Sequence, residues 1–277
     1  MVAPFNIRPP IVLLADYTEM VDILNRRGHE FDRSHVWKAL FGAVLPKGAL
    51  VLDTTPHFKA QRKLSVDTMN TAFLRDVAVP NTYAPILGLI NLWKKKAELA
   101  GEDKAWKGNE DIFRAVFDAI WSVVFAQHAG VVKKQEEALE TTQTNDLELS
   151  HDNKVADFPH VDNPMLFSSS TETIDSLGLV MAAPFPGWHY WLLKKTTKLG
   201  KVFTIRDRFI DKAYSTGLAA MAQGSIKKPS CAMDCLLVRN EEARKTGTAF
   251  DDATIKDDLS MLVAAVSFML IANQENY

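Results

Sequence analysis

Residues 231–265 read CAMDCLLVRNEEARKTGTAFDDATIKDDLSMLVAA, from Cys231 to Ala265: a polar helix, a turn, and the opening of a long apolar helix. Thr254 with Asp257 has capping-box spacing and predicts the start of that last helix. Its most apolar run, Leu259 to Ala272, is shorter than the roughly 20 residues a membrane-spanning helix needs. The run therefore predicts a buried core helix.

Working outward, Ser230 is placed to cap the polar helix after Pro229, and Val202, Ile205, Phe209, Ala213 and Tyr214 stripe a further helix before it. Ser169 with Glu172 predicts the start of a helix carrying Ile174, Leu177 and Met181, which must stop before Pro184. The stretch 131–163 is mostly polar and is expected to be a surface connection, an insertion within one domain. Upstream, Asn109 can cap a helix whose residues Ile112 to Phe125 leave little polar face, so it should be central and buried. Another helix spans about Pro85 to Leu99 before Gly101, and one begins at Thr55 with Pro56 at its first position. From Phe31 to Asp53 a long apolar loop with a short helical turn suits a pocket wall. Met20, Ile23 and Leu24 share a face of the first helix, and Ile11 to Leu14 predicts a short strand. The fold class expected is mainly α with that one N-terminal strand, in a single domain over residues 1–277.

Composition narrows the function. With 47% hydrophobic and 24% charged residues the chain can build a real core, and disorder is excluded for most of it. A formal charge of -2 gives no basic field, which argues against nucleic acid as a partner. The two cysteines, Cys231 and Cys235, offer neither a disulfide framework nor a paired metal motif. No signal peptide is visible, so the chain as written is expected to be soluble or peripheral. The sequence holds no G-x-S-x-G elbow, phosphate-cradling loop or H-E-x-x-H. Asp257 and Asp258 receive no catalytic role, because adjacent residues point apart on a helix and Asp257 is expected to serve as a cap.

Thr55 to Leu64, TPHFKAQRKL, puts Phe58 and Arg62 one turn apart on one helix face. An apolar ring beside a fixed guanidinium suits a planar anionic cofactor. The plainer alternative is Arg62 and Lys63 on a solvated face with Phe58 in the core. In its wider setting the motif resembles the W-x-x-x-R helix of cytochrome P-450 haem-thiolate monooxygenases, particularly fungal ones, here as F-x-x-x-R. Pro9 to Ser34 resembles that family's first strand, helix and start of the substrate-contacting loop. PFPGWHYWLLKK, Pro184 to Lys195, resembles the connection between its two roof helices, and 231–265 resembles the approach to its oxygen-binding helix.

The resemblance implies haem, bound through Arg62 and Phe58, with Ala264 and Ala265 facing the oxygen side. It implies a pocket lined by Phe41 and Leu45 for a lipophilic small-molecule substrate, and an NADPH-dependent reductase as electron donor. Trp188, Tyr190 and Trp191, with Lys194 and Lys195 outside them, suit a peripheral membrane contact; the alternative is that these aromatics pack inward. By the same resemblance a complete product with an N-terminal anchor would sit at the endoplasmic reticulum membrane.

Departures from the family pattern limit the activity expected. Where the family reads A-G-x-(D/E)-T, this chain has Ala264, Ala265, Val266, Ser267 and Phe268, which lacks the acid and the Thr hydroxyl. C-terminal to that helix the family carries an E-x-x-R pair and a Gly-rich loop with the iron-ligating Cys, and neither is found here. The reading is the N-terminal portion of a monooxygenase, inactive as it stands. Residues 266–277 form an atypical tail: Val266-Ser267 is what an unspliced GTGAGT donor site would encode, and a decayed gene is the other explanation. A non-catalytic helical protein that binds an apolar ligand or a protein partner is the alternative function.

Overall fold

The computed structural model describes residues 12–101, 103–144, 147–149, 154–181, 183 and 185–274, with the side chains of 36, 37, 181 and 265–274 outside the description. Helix dominates. Before the central helices come α1 (Tyr17–Asn25), α2 (His35–Phe41), α3 (Pro56–Ser65) and the single turn α4 (Thr71–Phe73). A π-helical turn, Leu74–Ala78, leads directly into α5 (Val79–Ala100), which is followed by α6 (Asn109–Phe125) and α7 (Val131–Leu139). The second half holds α8 (Met165–Met181), α9 (Pro186–Thr196), α10 (Leu199–Ala222), α11 (Ala232–Lys245) and α12 (Asp252–Gln274). Strands β1 (Glu148–Leu149) and β2 (Ala156–Asp157) pair antiparallel, Glu148 opposite Asp157.

The largest core forms where α6, α8, α10, α11 and α12 converge. Phe117, Val124, Leu236, Ile255 and Leu259 are among its most buried members. Phe117 meets Phe167 edge-on, ring centroids 5.1 Å apart, the arrangement that suits the quadrupoles of two aromatic rings. A second cluster joins α2 and the loop after it to α8, α9 and α10, through Leu40, Phe41, Leu45, Val180, Tyr190 and Phe203. At the other end of α6 the buried Asp111 receives Lys96 at 2.7 Å, Arg114 at 3.3 Å and the indole N–H of Trp93 at 3.1 Å. This carboxylate is fully enclosed and its cationic partners satisfy it, which is the condition for burying charge without a large penalty.

Local signals explain several boundaries. Thr55 accepts the Phe58 amide at 3.3 Å to cap α3, with Pro56 at its first position. α5 ends at Gly101, whose φ of 83° lies where a side chain would be strained. α6 ends at Ala126, a non-glycine residue at φ 52°.

Five expectations change. The described residues 12–14 form no strand, and Val12 and Leu13 are 83% and 90% exposed. A strand needs a partner ladder, and among the described residues none lies beside them. Ile11 falls outside the described residues. The polar stretch 131–163 begins with the packed helix α7, whose Val131, Val132, Gln135 and Leu139 make a buried stripe against α5 and α6. Asp118 of α6 anchors it by accepting the Val131 and Val132 amides at 3.0 and 2.9 Å. α12 is capped by Asp251, which accepts the Thr254 amide at 2.9 Å, one residue set earlier than the Thr254 and Asp257 spacing predicts. α8 starts at Met165, so Ser169 sits inside it and donates back to the Leu166 carbonyl. α5 begins six residues before Pro85 and passes through it, with the π-helical turn upstream.

Candidate functional site

Three segments far apart in sequence enclose one small apolar cavity of about 40 Å³: the end of α2 with the loop after it, the middle of α8, and α12. Phe41 and Leu45 face it from the loop, Ile174 and Leu177 from α8, and Val263 and Ala264 from α12, with Trp121 of α6 behind. The structure thus brings together three of the residues singled out from sequence, Phe41, Leu45 and Ala264. The side chain of Ala265, the fourth, is outside the description.

Polar groups on this wall are mostly occupied. The hydroxyls of Ser170, Thr173 and Ser260 each donate to the carbonyl four residues earlier on their own helix, at 2.8, 2.7 and 2.7 Å. Their hydroxyls are thus engaged and offer no free donor. Arg206 is the exception: only 9% exposed, it reaches the cavity from α10.

The loop that carries Leu45 is fastened to α12 by three carboxylates. Asp257 accepts the Lys47 amide at 2.7 Å, Asp258 accepts the Ala49 amide at 2.8 Å, and Asp251 pairs with the Lys47 ammonium. Gln61 of α3 completes the joint, donating to both oxygens of Asp258 at 3.1 Å and to the Lys47 carbonyl at 2.8 Å. Asp258 is 2% exposed, and burial pushes its carboxyl up to about 6, against the backbone and Gln61 hydrogen bonds that favour the anion. Burial also raises Asp257, whereas the Lys47 hydrogen bond holds Asp251 down at about 2. One atom of the joint has no partner among the described residues: Gln61 Oε1, fully buried.

Gln61 therefore locks α3, with Phe58 and Arg62, to the same joint. Phe58 is buried, and the Arg33 guanidinium stacks on its ring at 4.1 Å while donating to the Leu52 carbonyl. Arg62 is exposed and makes no side-chain hydrogen bond or ion pair among the described residues. Sequence reasoning missed Arg33, Gln61, Asp258 and Arg206. Only the adjacent acids Asp257 and Asp258 carried a signal, and both do act, each on its own backbone amide in the neighbouring loop.

The remaining candidates separate. Cys231 and Cys235 are buried on the first turn of α11, and burial raises their thiols to about 12 and 11, so both are neutral thiols. Trp188 and Trp191 stand out from α9, 62% and 52% exposed. Tyr190 does not join them: it is fully buried, its hydroxyl bonded to Ser176 and its ring edge-on to Phe203 at 5.7 Å. Successive helical positions point 100° apart, which sends the middle residue of Trp188, Tyr190 and Trp191 into the core. No described helix is long and apolar enough to cross a membrane.

Comparisons with known proteins bear on the family of the chain. The profile of the family described as cytochrome P-450 matches residues 7–267. Cytochrome P-450 monooxygenase GME11363 of Pestalotiopsis microspora is 27% identical over 270 residues, which cover 90% of this chain and 44% of that protein. Cytochrome P-450 monooxygenase TRI13 of Fusarium sporotrichioides is 26% identical over 230 residues, covering 81% of this chain and 39% of that protein. The chain thus spans less than half the length of the curated relatives it matches. A mainly helical fold, the order of its segments and a family match over nearly the whole sequence lead to one assignment: this chain belongs to the cytochrome P-450 family.

Proposed function

We propose that this chain supplies the substrate side of a haem monooxygenase that oxidises a lipophilic small molecule, with electrons from an NADPH-dependent reductase. The observation that carries the reading is the apolar cavity that joins Phe41 and Leu45 to Ala264, together with α3, whose Arg62 makes no ion pair among the described residues. Haem, when bound, supplies iron chemistry that activates dioxygen for insertion into a substrate C–H bond.

The residues present fit part of that group. Arg62 is an exposed guanidinium with no competing ion pair among the described residues, suited to a haem carboxylate, and Phe58, one turn before it, is buried. Arg33, already stacked on Phe58, brings a second cation to that edge. Ala264 keeps the α12 wall small there, and Phe41 and Leu45 exclude water around the substrate. Iron ligation is where the fit fails: Cys231 and Cys235 are buried neutral thiols on a helix, whereas an iron ligand must be a thiolate. These 277 residues are accordingly proposed to be inactive alone.

Haemin titration of the purified chain, followed by the Soret band, tests the cofactor reading. Saturable binding that weakens at least tenfold in Arg62→Ala is expected, with no thiolate signature in the reduced, carbon monoxide-bound spectrum. Unsaturable binding, or binding indifferent to Arg62, would favour the second reading: a non-catalytic helical protein whose cavity takes an apolar ligand directly.

The exposed Trp188 and Trp191, next to Lys194 and Lys195, support a peripheral contact with a membrane surface, as expected at the endoplasmic reticulum. Blue-shifted tryptophan emission on adding anionic vesicles, lost in a Trp188→Ser and Trp191→Ser double variant, checks this; unchanged emission would refute it.

A further inference from the structure

Outside the apolar cavity lies an open cleft of about 290 Å³ between the 43–46 loop, α10 and the first turns of α12. The two spaces share four wall residues, Val44, Arg206, Ile210 and Ser260, so Arg206 lines both. Its guanidinium is half used. Nε and Nη2 both donate to a single oxygen of Asp207, at 2.9 and 2.6 Å, and its face lies 4.7 Å from the Phe203 ring centroid. Nη1 makes no hydrogen bond among the described residues.

Other charges around the cleft are already committed. Lys256 pairs with Asp211 at 2.7 Å, and Asp257 holds the Lys47 amide at 2.7 Å. Lys194 adds a second cation, its ammonium 4.2 Å over the same Phe203 ring, and burial there lowers its pKa. Asp207 is 52% exposed, so its pairing with Arg206 is partly screened by water. A largely buried guanidinium whose Nη1 has no protein acceptor among the described residues, on a wall whose hydroxyls are turned to their own helices, is a donor that a ligand's acceptor can meet.

We infer that Arg206 is a specificity-determining residue that selects lipophilic molecules bearing an acceptor oxygen, a carbonyl or a carboxylate. The oxygen docks on Nη1 at this shared wall. A small apolar group enters the inner cavity, and the rest of the molecule occupies the outer cleft, because 40 Å³ holds little and 290 Å³ has the room. This rests on the cavity being the substrate site, as proposed above, and adds what that substrate must carry.

The test needs no turnover. Butylbenzene, benzylacetone and phenylbutanoate share an aryl-alkyl body and differ in having no oxygen, a neutral carbonyl or a carboxylate. Their affinities for the full chain and for Arg206→Met are measured by calorimetry. Loss of the guanidinium is expected to weaken the oxygenated ligands tenfold or more, the usual scale for a hydrogen bond to a charged group, and butylbenzene less than threefold. Loss confined to phenylbutanoate supports a carboxylate-selective site, and loss for benzylacetone too supports a general acceptor site. Equal change for all three overturns the inference while leaving the cavity reading intact, whereas failure of all three to bind the unaltered chain overturns both. Should Arg206→Met not fold, guanidinium NMR of the unaltered chain decides: the Arg206 resonance, assigned by its loss in Arg206→Lys, must shift with the oxygenated ligands and stay still with butylbenzene.

Discussion

Replacing Asp258 by Asn should remove a pH dependence from the stability of the chain. In the fold this carboxyl titrates near 6, whereas a free aspartate titrates near 3.8. Folding therefore retains a proton that the unfolded chain has already released between those values. The contribution is fully present below 3.8 and is lost as pH rises through 6. The gap corresponds to about 3 kcal/mol at 1.36 kcal/mol per pKa unit. The group is 2% exposed, so solvent screening does not erode it much. Asn keeps the shape and can still accept the Ala49 amide, although its own amide nitrogen replaces one of the two oxygens that accept from Gln61 Nε2, a loss that does not vary with pH. Urea midpoints of both proteins would be compared from pH 4 to pH 7.5. Relative to the unaltered chain, Asp258→Asn should gain about 2–3 kcal/mol across that interval, with Asp118, which takes no part in the joint, cancelling in the difference. Parallel curves would refute the reasoning, because the joint would then hold Asp258 as an ordinary carboxylate.

Asp111→Ala should cost about 3–5 kcal/mol in chemical denaturation, since it strands the buried Lys96 without its anion and leaves Arg114 only Glu110 and Asn163. Ala126→Gly should raise stability by about 1 kcal/mol, measured the same way, by relieving a left-handed backbone that a side chain resists. Cys231 and Cys235 should react with a thiol reagent at pH 7 only as fast as the chain opens, and denaturant should release both together.

Reading the sequence found what short-range chemistry controls. Thr55 with Pro56, Gly101, and the aromatic periodicity of Ile112 to Phe125 each mark an element through residues within one or two turns. It failed where two local signals competed, as at α12, where Asp251 reaches the Thr254 amide before Asp257 is needed there. α7 was hidden because its stripe of Val131, Val132, Gln135 and Leu139 includes a polar residue and sits in a charged stretch. The site was only half legible. Phe41, Leu45 and Ala264 followed from a family pattern, and their meeting follows from the fold. Gln61, Asp258 and Arg206 are ordinary polar residues in helices, and nothing within a window of sequence shows that Gln61 meets Asp258 across 197 positions.

α1 contributes no buried residue to any core. It is nine residues long and is held by the Asp16 cap and an Asp22–Arg26 ion pair, and an isolated helix of that length is marginal in water. Its melting transfers little apolar surface to solvent, so it can open as a cooperative unit of its own. Amide hydrogens in Tyr17–Asn25 should then exchange by local opening, with protection far below that of α6 or α12. Cleavage by trypsin at Arg26 and Arg27 should run at one rate in the unaltered chain and in a core variant such as Phe117→Ala, because the opening it follows never engages the core.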